Sequence, residues 1–164
     1  MKKILNFAII FAMAFVLMAC PYSSDVALDT PNQKLKKDLM AKWVENGGSE
    51  NPNFYLISKS KEDKMYTFEQ NDYDSNEKKY TQKFHEGYFT TIGNVEFLNL
   101  KNKEDGKYYF FKMTRPDEKT FVLFEVTDNI TETFKSGAEM KAFFSKNKEL
   151  SFFYNKSEKT YTKQ

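Results

Sequence analysis

Apolar and polar residues alternate along most of this chain, and a period of two predicts β-strands. The alternation begins near Phe54 and is interrupted by short polar turns. Turn signals that return about every 8 to 12 residues favour an antiparallel β-barrel or sandwich. The predicted strands are residues 54–58, 65–69, 80–84, 87–92, 95–100, 108–113, 121–126, 150–154 and 160–162.

One later segment changes to a helical period. Ser136 is followed three residues later by Glu139, the pattern of a capping box at a helix start. The apolar residues that come next share one face of a helix, and they are Met140, Phe143 and Phe144. The sequence therefore predicts one amphipathic helix over residues 136–147.

The first twenty residues have a pattern of their own. Lys2 and Lys3 precede an uninterrupted apolar run over residues 7–18. This run is too short to span a bilayer as a helix, which needs about 20 residues. A cationic start followed by a short apolar run is typical of a signal peptide. We therefore predict a signal peptide over residues 1–19.

Leu17, Ala19 and Cys20 resemble the lipobox of bacterial lipoproteins, in which apolar and small residues precede a cysteine. The resemblance implies that diacylglycerol is attached to the Cys20 sulfur and that the chain is cut just before this residue. Stable anchoring needs two or more acyl chains, because one chain binds a bilayer only marginally. The alternative is an ordinary secretory signal followed by a free thiol.

The remaining chain divides into two predicted parts. Residues 20–33 hold Pro, Ser, Asp, Thr and Asn with few large apolar side chains, and we expect a flexible tether there. Residues 34–164 are expected to form a single β-rich domain. Pro21 stands where lipoproteins retained at the inner membrane of enteric bacteria carry Asp. The expected location is therefore the bacterial cell envelope, on the outer membrane where the cell has two.

Charge argues against nucleic acid as a partner. The chain has 25 Lys and Arg and 23 Asp and Glu residues, and loss of Lys2 and Lys3 would leave equal numbers. Nucleic-acid binding needs an excess of positive charge that displaces counterions. We expect the partners to be a membrane, through the lipid, and a small apolar ligand or an envelope protein.

Candidate catalytic and metal motifs are incomplete. His85 and Glu86 match the start of a His-Glu-x-x-His zinc motif, but Phe89 occupies the second histidine position. We interpret His85, the single histidine, as a solvent-facing residue at a strand end. We expect no catalytic residues, no metal ligands and no cofactor.

The loop at residues 72–76 matches the opening of a calcium-binding loop. Glu77 replaces the glycine that such a loop requires, and Lys83 occupies the position of the bidentate glutamate. We expect a hairpin loop with Asx turns instead.

The order of elements resembles lipocalin-like barrels found in small bacterial lipoproteins. A short helix near Leu35 and Leu39 leads into a strand that carries Trp43, followed by a meander, a late helix and a closing strand. Ala41 stands where lipocalins carry glycine before this tryptophan. Residues 87–100 and the capped helix also resemble uncharacterised lipoproteins of the Bacteroidetes type. These resemblances imply an architecture and no mechanism.

Aromatic side chains are the candidate ligand-binding residues. In a closed barrel one of the two alternating sets points inward. The inward candidates are Tyr66, Phe68, Tyr88, Phe97, Tyr109, Phe111, Phe121 and Leu123. They either fill the interior or line a cavity for one small apolar ligand. We expect a non-catalytic binding module; the alternative is an interaction subunit or inhibitor in an envelope complex.

Overall fold

Antiparallel β-strands dominate residues 21–164, the part of the chain that the computed structural model describes. The strands are β1 (Ser23–Ser24), β2 (Lys42–Glu45), β3 (Phe54–Lys59), β4 (Tyr66–Asp74), β5 (Lys79–Ile92), β6 (Val95–Asn102), β7 (Tyr108–Asp117), β8 (Thr120–Glu125) and β9 (Lys159–Lys163). Helix α1 (Gly137–Asn147) lies between β8 and β9, and Lys37–Leu39 and Ser151–Phe153 form single 3₁₀ turns.

Strands β2 to β9 close into an eight-stranded antiparallel barrel. Each strand pairs with the next along the chain, and β9 also pairs with β2, with Trp43 opposite Lys163. The short β1 lies beside β7 and outside this ring of pairings. The predicted mostly β fold is confirmed, and the barrel with one helix is consistent with a lipocalin-like architecture.

Helix α1 packs against the outer surface of the barrel. The Ser136 hydroxyl accepts a hydrogen bond from the Glu139 N–H at 3.3 Å, which fixes the helix start. Phe144 is fully buried, and its ring centroid lies 5.3 Å from that of Phe97 and 5.5 Å from that of Phe110. The predicted amphipathic helix at residues 136–147 is confirmed.

The 3₁₀ turn Lys37–Leu39 plugs one end of the barrel, which we call the closed end. The Leu39 side chain is fully buried among the inward aromatic residues. The Trp43 indole N–H donates to the Leu39 carbonyl at 2.7 Å, and the Trp43 ring lies 4.7 Å from the Phe121 ring. The predicted helix before Trp43 is therefore a single turn, tied down by the tryptophan itself.

Strand β5 is longer than predicted, since residues 79–92 form one continuous strand. Gly87 lies at the middle of β5 and faces the interior. A Cβ atom at this position would stand 2.5 Å from Phe68 Cε2 and 2.8 Å from Leu100 Cδ2. The missing side chain is what allows the Phe68 ring to lie across β5. A second difference is at residues 150–154, predicted as a strand, where Ser151–Phe153 form a 3₁₀ turn.

Residues 21–33, predicted as part of a tether, lie against the barrel. Leu28 is buried, and its N–H donates to the side-chain oxygen of the buried Asn99 at 3.2 Å. The Lys141 Nζ on α1 lies 2.6 Å from an Asp29 carboxylate oxygen. The expectation of a flexible segment is wrong for these residues, because burial of Leu28 and the pairing of Asn99 hold them in place.

The predicted signal peptide and Cys20 lie outside the described residues. Within residues 21–164, no helix has the length and hydrophobicity that crossing a bilayer requires.

Replacement of Gly87 by alanine should destabilise the protein by about 1 to 3 kcal/mol, because the added methyl group overpacks the interior. Chemical denaturation of both proteins measures this difference. Gly47→Ala is the matched control, since a Cβ at Gly47 meets nothing within 4 Å. Equal stability of the Gly87→Ala variant and the wild type would show that Phe68 and Leu100 yield without cost.

Candidate functional site

A cavity of about 290 Å³ occupies the barrel interior at the end opposite Trp43. At this open end, loops 75–78, 103–107 and 155–158 connect the strands. The apolar side chains that line the cavity are Leu100, Phe111 and Leu123. Its polar lining comes from Tyr55, Gln70, Lys83, His85, Asn102, Tyr109, Glu125, Ser157, Lys159 and Tyr161, and Pro21 lines it from the N-terminal segment.

The cavity exists because the inward positions change character along the barrel. On β4 the inward side chains run from the buried Phe68 to Gln70, and on β6 they run from Leu98 to Asn102. The closed half is filled by a cluster of buried aromatic and aliphatic side chains. Polar side chains at the open end do not pack into such a cluster, so space remains between them.

Tyr55 and Tyr161 form a buried pair in the cavity wall. Their ring centroids lie 5.2 Å apart and their hydroxyl groups are hydrogen-bonded to each other. Burial raises the pKa of both phenols well above the ordinary tyrosine value. Both phenols are therefore neutral and present apolar ring surface to the cavity.

A chain of hydrogen bonds fixes the orientation of His85. The Gln70 side-chain Nε2 donates to an Asp72 carboxylate oxygen at 2.8 Å. A carboxylate only accepts hydrogen bonds, so Gln70 must present its Oε1 oxygen on the other side. That oxygen lies 3.2 Å from His85 Nε2. The Nε2 atom of His85 therefore carries the ring proton.

The second ring nitrogen of His85 has no partner among residues 21–164. His85 lines the cavity and is only 6% exposed. Its Nδ1 atom is buried and has no hydrogen bond. Burial lowers the pKa of His85, and Lys83 lowers it further, while Asp105, Glu104 and Asp72 oppose this shift. In the neutral ring, Nδ1 is an acceptor. This acceptor lies in the side chain of a cavity-lining residue, and no described residue donates to it.

The interpretation of His85 as a solvent-facing residue is wrong. Because β5 continues without a break from Lys79 to Ile92, His85 lies on the same face as Phe89 and points inward. A polar residue at an inward position looks in the sequence like one that faces water. Gln70 and Lys159 are absent from the inward candidates for the same reason, since those candidates are all aromatic or aliphatic.

The aromatic candidates lie in three places. Tyr109 and Phe111 line the cavity, as does Leu123. Tyr66, Phe68 and Phe121 point inward but belong to the packed closed half. The prediction that Tyr88 and Phe97 point inward is wrong. Phe97 packs against Phe144 of α1, and the Tyr88 hydroxyl donates to the Asp29 carbonyl on the outside of the barrel.

The loop at residues 72–76 forms the expected Asx turn. One Asp74 carboxylate oxygen accepts from the N–H groups of Asn76 at 2.8 Å and Glu77 at 3.1 Å. Across residues 21–164, no group of three or more His, Cys, Asp or Glu side chains is arranged to hold a metal ion.

No protein-family model, curated protein or solved structure matches this chain. A fold by itself does not fix a function, so the function must be argued from the cavity and its side chains.

Acidification from pH 7.5 to 5.5 should destabilise the wild type more than a His85→Leu variant. The folded protein holds His85 below its ordinary pKa of about 6.5, so the unfolded chain binds the extra proton first and stability falls as the pH drops through that value. Urea unfolding at both pH values measures the effect. Identical pH dependence in both proteins would contradict the burial of a neutral His85.

Proposed function

We propose that this protein is a non-catalytic binding module of the bacterial cell envelope that holds one small ligand in the open-end cavity. A lipid on Cys20 would anchor it, on the outer membrane where the cell has two. The observation that carries the proposal is the cavity itself, with an apolar floor and a buried acceptor nitrogen that no described residue satisfies.

The volume supports a small ligand. Ligand pockets in proteins range from about 300 to 1,000 Å³, so this cavity lies at the lower limit. It equals the liquid volume of about ten water molecules. A single ring or a short chain fits this space, whereas a long acyl chain does not fit within the barrel.

The lining supports a ligand with two chemical parts. Leu100, Phe111 and Leu123 favour an apolar body, as the sequence led us to expect. His85 Nδ1 adds a requirement for a hydroxyl or N–H group, because a buried acceptor left without a donor costs free energy. We therefore propose an apolar or aromatic molecule that carries one hydrogen-bond donor.

The rim charges favour neither an anion nor a cation strongly. Lys159 Nζ lies 3.7 Å from a Glu45 carboxylate oxygen, and a Glu125 carboxylate oxygen accepts from the Asn155 amide at 2.7 Å. The two lysines Lys83 and Lys159 are balanced by the two carboxylates Glu125 and Glu45, so the rim has little net charge. Selectivity therefore rests on shape and on the His85 acceptor.

The His85 acceptor should distinguish phenol from toluene, two rings of similar shape that differ in one donor group. In an NMR titration, His85→Leu should weaken phenol binding about two- to tenfold, the range expected for one neutral hydrogen bond. Toluene binding should not weaken.

Asn102→Leu is the control for that titration, because Asn102 also lines the cavity but its side-chain oxygen already accepts from the Glu104 N–H. Phenol affinity that falls equally in both variants, or in neither, would defeat the proposed role of His85. Failure of both probes to bind the wild type would defeat the proposal of a small aromatic ligand.

Replacement of Cys20 by alanine should prevent acylation and move the protein from the membrane fraction to the soluble fraction of the envelope. The reason is that stable anchoring depends on the acyl chains. Fractionation and intact mass measurement check this result. Undiminished membrane association of the Cys20→Ala variant would contradict the lipid anchor.

A protein-interaction role is the second candidate, and two exposed apolar side chains on the outer face of the barrel favour it. Leu56 and Phe84 both face outward beside Glu69, and they are 37% and 42% exposed. Exposed apolar patches mark interaction sites when they are contiguous. Native mass spectrometry of the protein purified from its own host separates the candidates, since a retained small molecule supports capture and a stoichiometric protein partner supports the second role.

A further inference from the structure

Pro21 lies at the rim of the cavity. Pro21 lines the cavity and forms an antiparallel bridge with Thr127, and the Tyr22 N–H donates to the Val126 carbonyl at 3.2 Å. Residues 21–24 thus fill the gap beside β7 and the end of β8. Cys20 is the residue directly before Pro21 in the sequence. A lipid on this cysteine would therefore attach at the rim, with no slack chain in between.

Exposed apolar side chains occur at the same corner of the rim. Phe152 is 69% exposed, the largest value for a big hydrophobic residue within residues 21–164, and Leu150 is 37% exposed. The Thr127 N–H that flanks Pro21 donates to the Phe153 carbonyl at 3.1 Å. Pro21, Thr127 and Phe153 therefore lie on three neighbouring backbone segments, and Phe152 is the residue before Phe153.

The 3₁₀ turn that carries Phe152 is fixed by the contacts of Phe153. The Phe153 N–H donates to the Leu150 carbonyl at 3.0 Å, and the Phe153 ring lies 5.0 Å from Phe144 of α1. Phe153 and Tyr154, the two residues that follow Phe152, are both buried. The exposed ring is therefore held out toward solvent by packed neighbours, which leaves its apolar surface available for a partner.

We propose that Pro21, Leu150 and Phe152 form a membrane-contact surface and that the cavity consequently opens toward the bilayer. This inference rests on the lipid anchor in the proposed function. An acyl anchor and a second apolar contact together hold a protein at a bilayer more firmly than either alone. Phe and Leu side chains are among those that insert at the membrane boundary, and Phe152 precedes the residue whose carbonyl bonds Thr127 beside Pro21.

The charges around this surface indicate that the contact is apolar. The adjoining groove is lined by Lys112 and Lys156 but also by Glu149, Asp128 and Glu158. Mixed charge gives no net attraction to anionic headgroups, so the occupant is the apolar boundary of any bilayer. A ligand with an apolar body would concentrate in that bilayer and enter the cavity from it.

The test measures the fluorescence of tryptophan. Trp43 is the single tryptophan and is fully buried at the closed end. Mature lipidated protein carrying F152W is reconstituted into phosphatidylcholine vesicles with brominated acyl chains, which quench nearby tryptophan. The emission that the introduced tryptophan adds to that of Trp43 should be mostly lost in F152W. It should be retained in the control K61W, where the tryptophan lies on the exposed hairpin at the closed end.

Both substitutions are at exposed positions, and unchanged emission from Trp43 confirms that each variant is folded. Equal quenching of the two variants, or quenching of K61W alone, would overturn the orientation. Retained emission in both variants would also overturn it. Intact mass measurement distinguishes failure of the orientation from failure of the lipid anchor. Absence of the lipid mass on Cys20 would overturn the anchor and the orientation together.

Discussion

Closure of the sheet is the constraint on which the rest of this structure depends. Once β9 pairs with β2, every strand residue points either into one narrow interior or onto the outer surface. Eight strands enclose a space that side chains can just fill, and the rings of Trp43, Phe68 and Phe121 fill only its closed half. The cavity at the open end follows from this division of one interior into an apolar part and a polar part.

Local signals in the sequence were sufficient for the fold class and for α1. Alternation predicted the strands, and Ser136 with Glu139 located the helix start. Alternation could not tell the inside from the outside where both faces of a strand are apolar. On β5 and β6 the outer face is covered by α1 and by residues 21–33, so Tyr88 and Phe97 are buried just as Phe89 and Leu98 are. Which face was interior could be decided only by the long-range packing of the helix.

The polar part of the candidate site was hidden for a related reason. Inward Gln70 and His85 have the same spacing as residues that face water, and their pairing depends on the register of β4 against β5. The docked segment at residues 21–33 was hidden because its partners are remote, 71 residues away for Leu28 and Asn99. Sequence patterns report neighbours within a turn or a strand, so neither arrangement leaves a local signal.

The contacts of Asp29 have a consequence for the order of assembly. Its carboxylate binds Lys141, 112 residues further along the chain, and a Cβ at Gly137 of the same helix would stand 2.6 Å from the Ala27 carbonyl oxygen. Residues 21–33 can therefore settle only after β7, β8 and α1 exist. The first residues to emerge during synthesis are among the last to be fixed, and until then the outer face of β6 is left uncovered at Asn99.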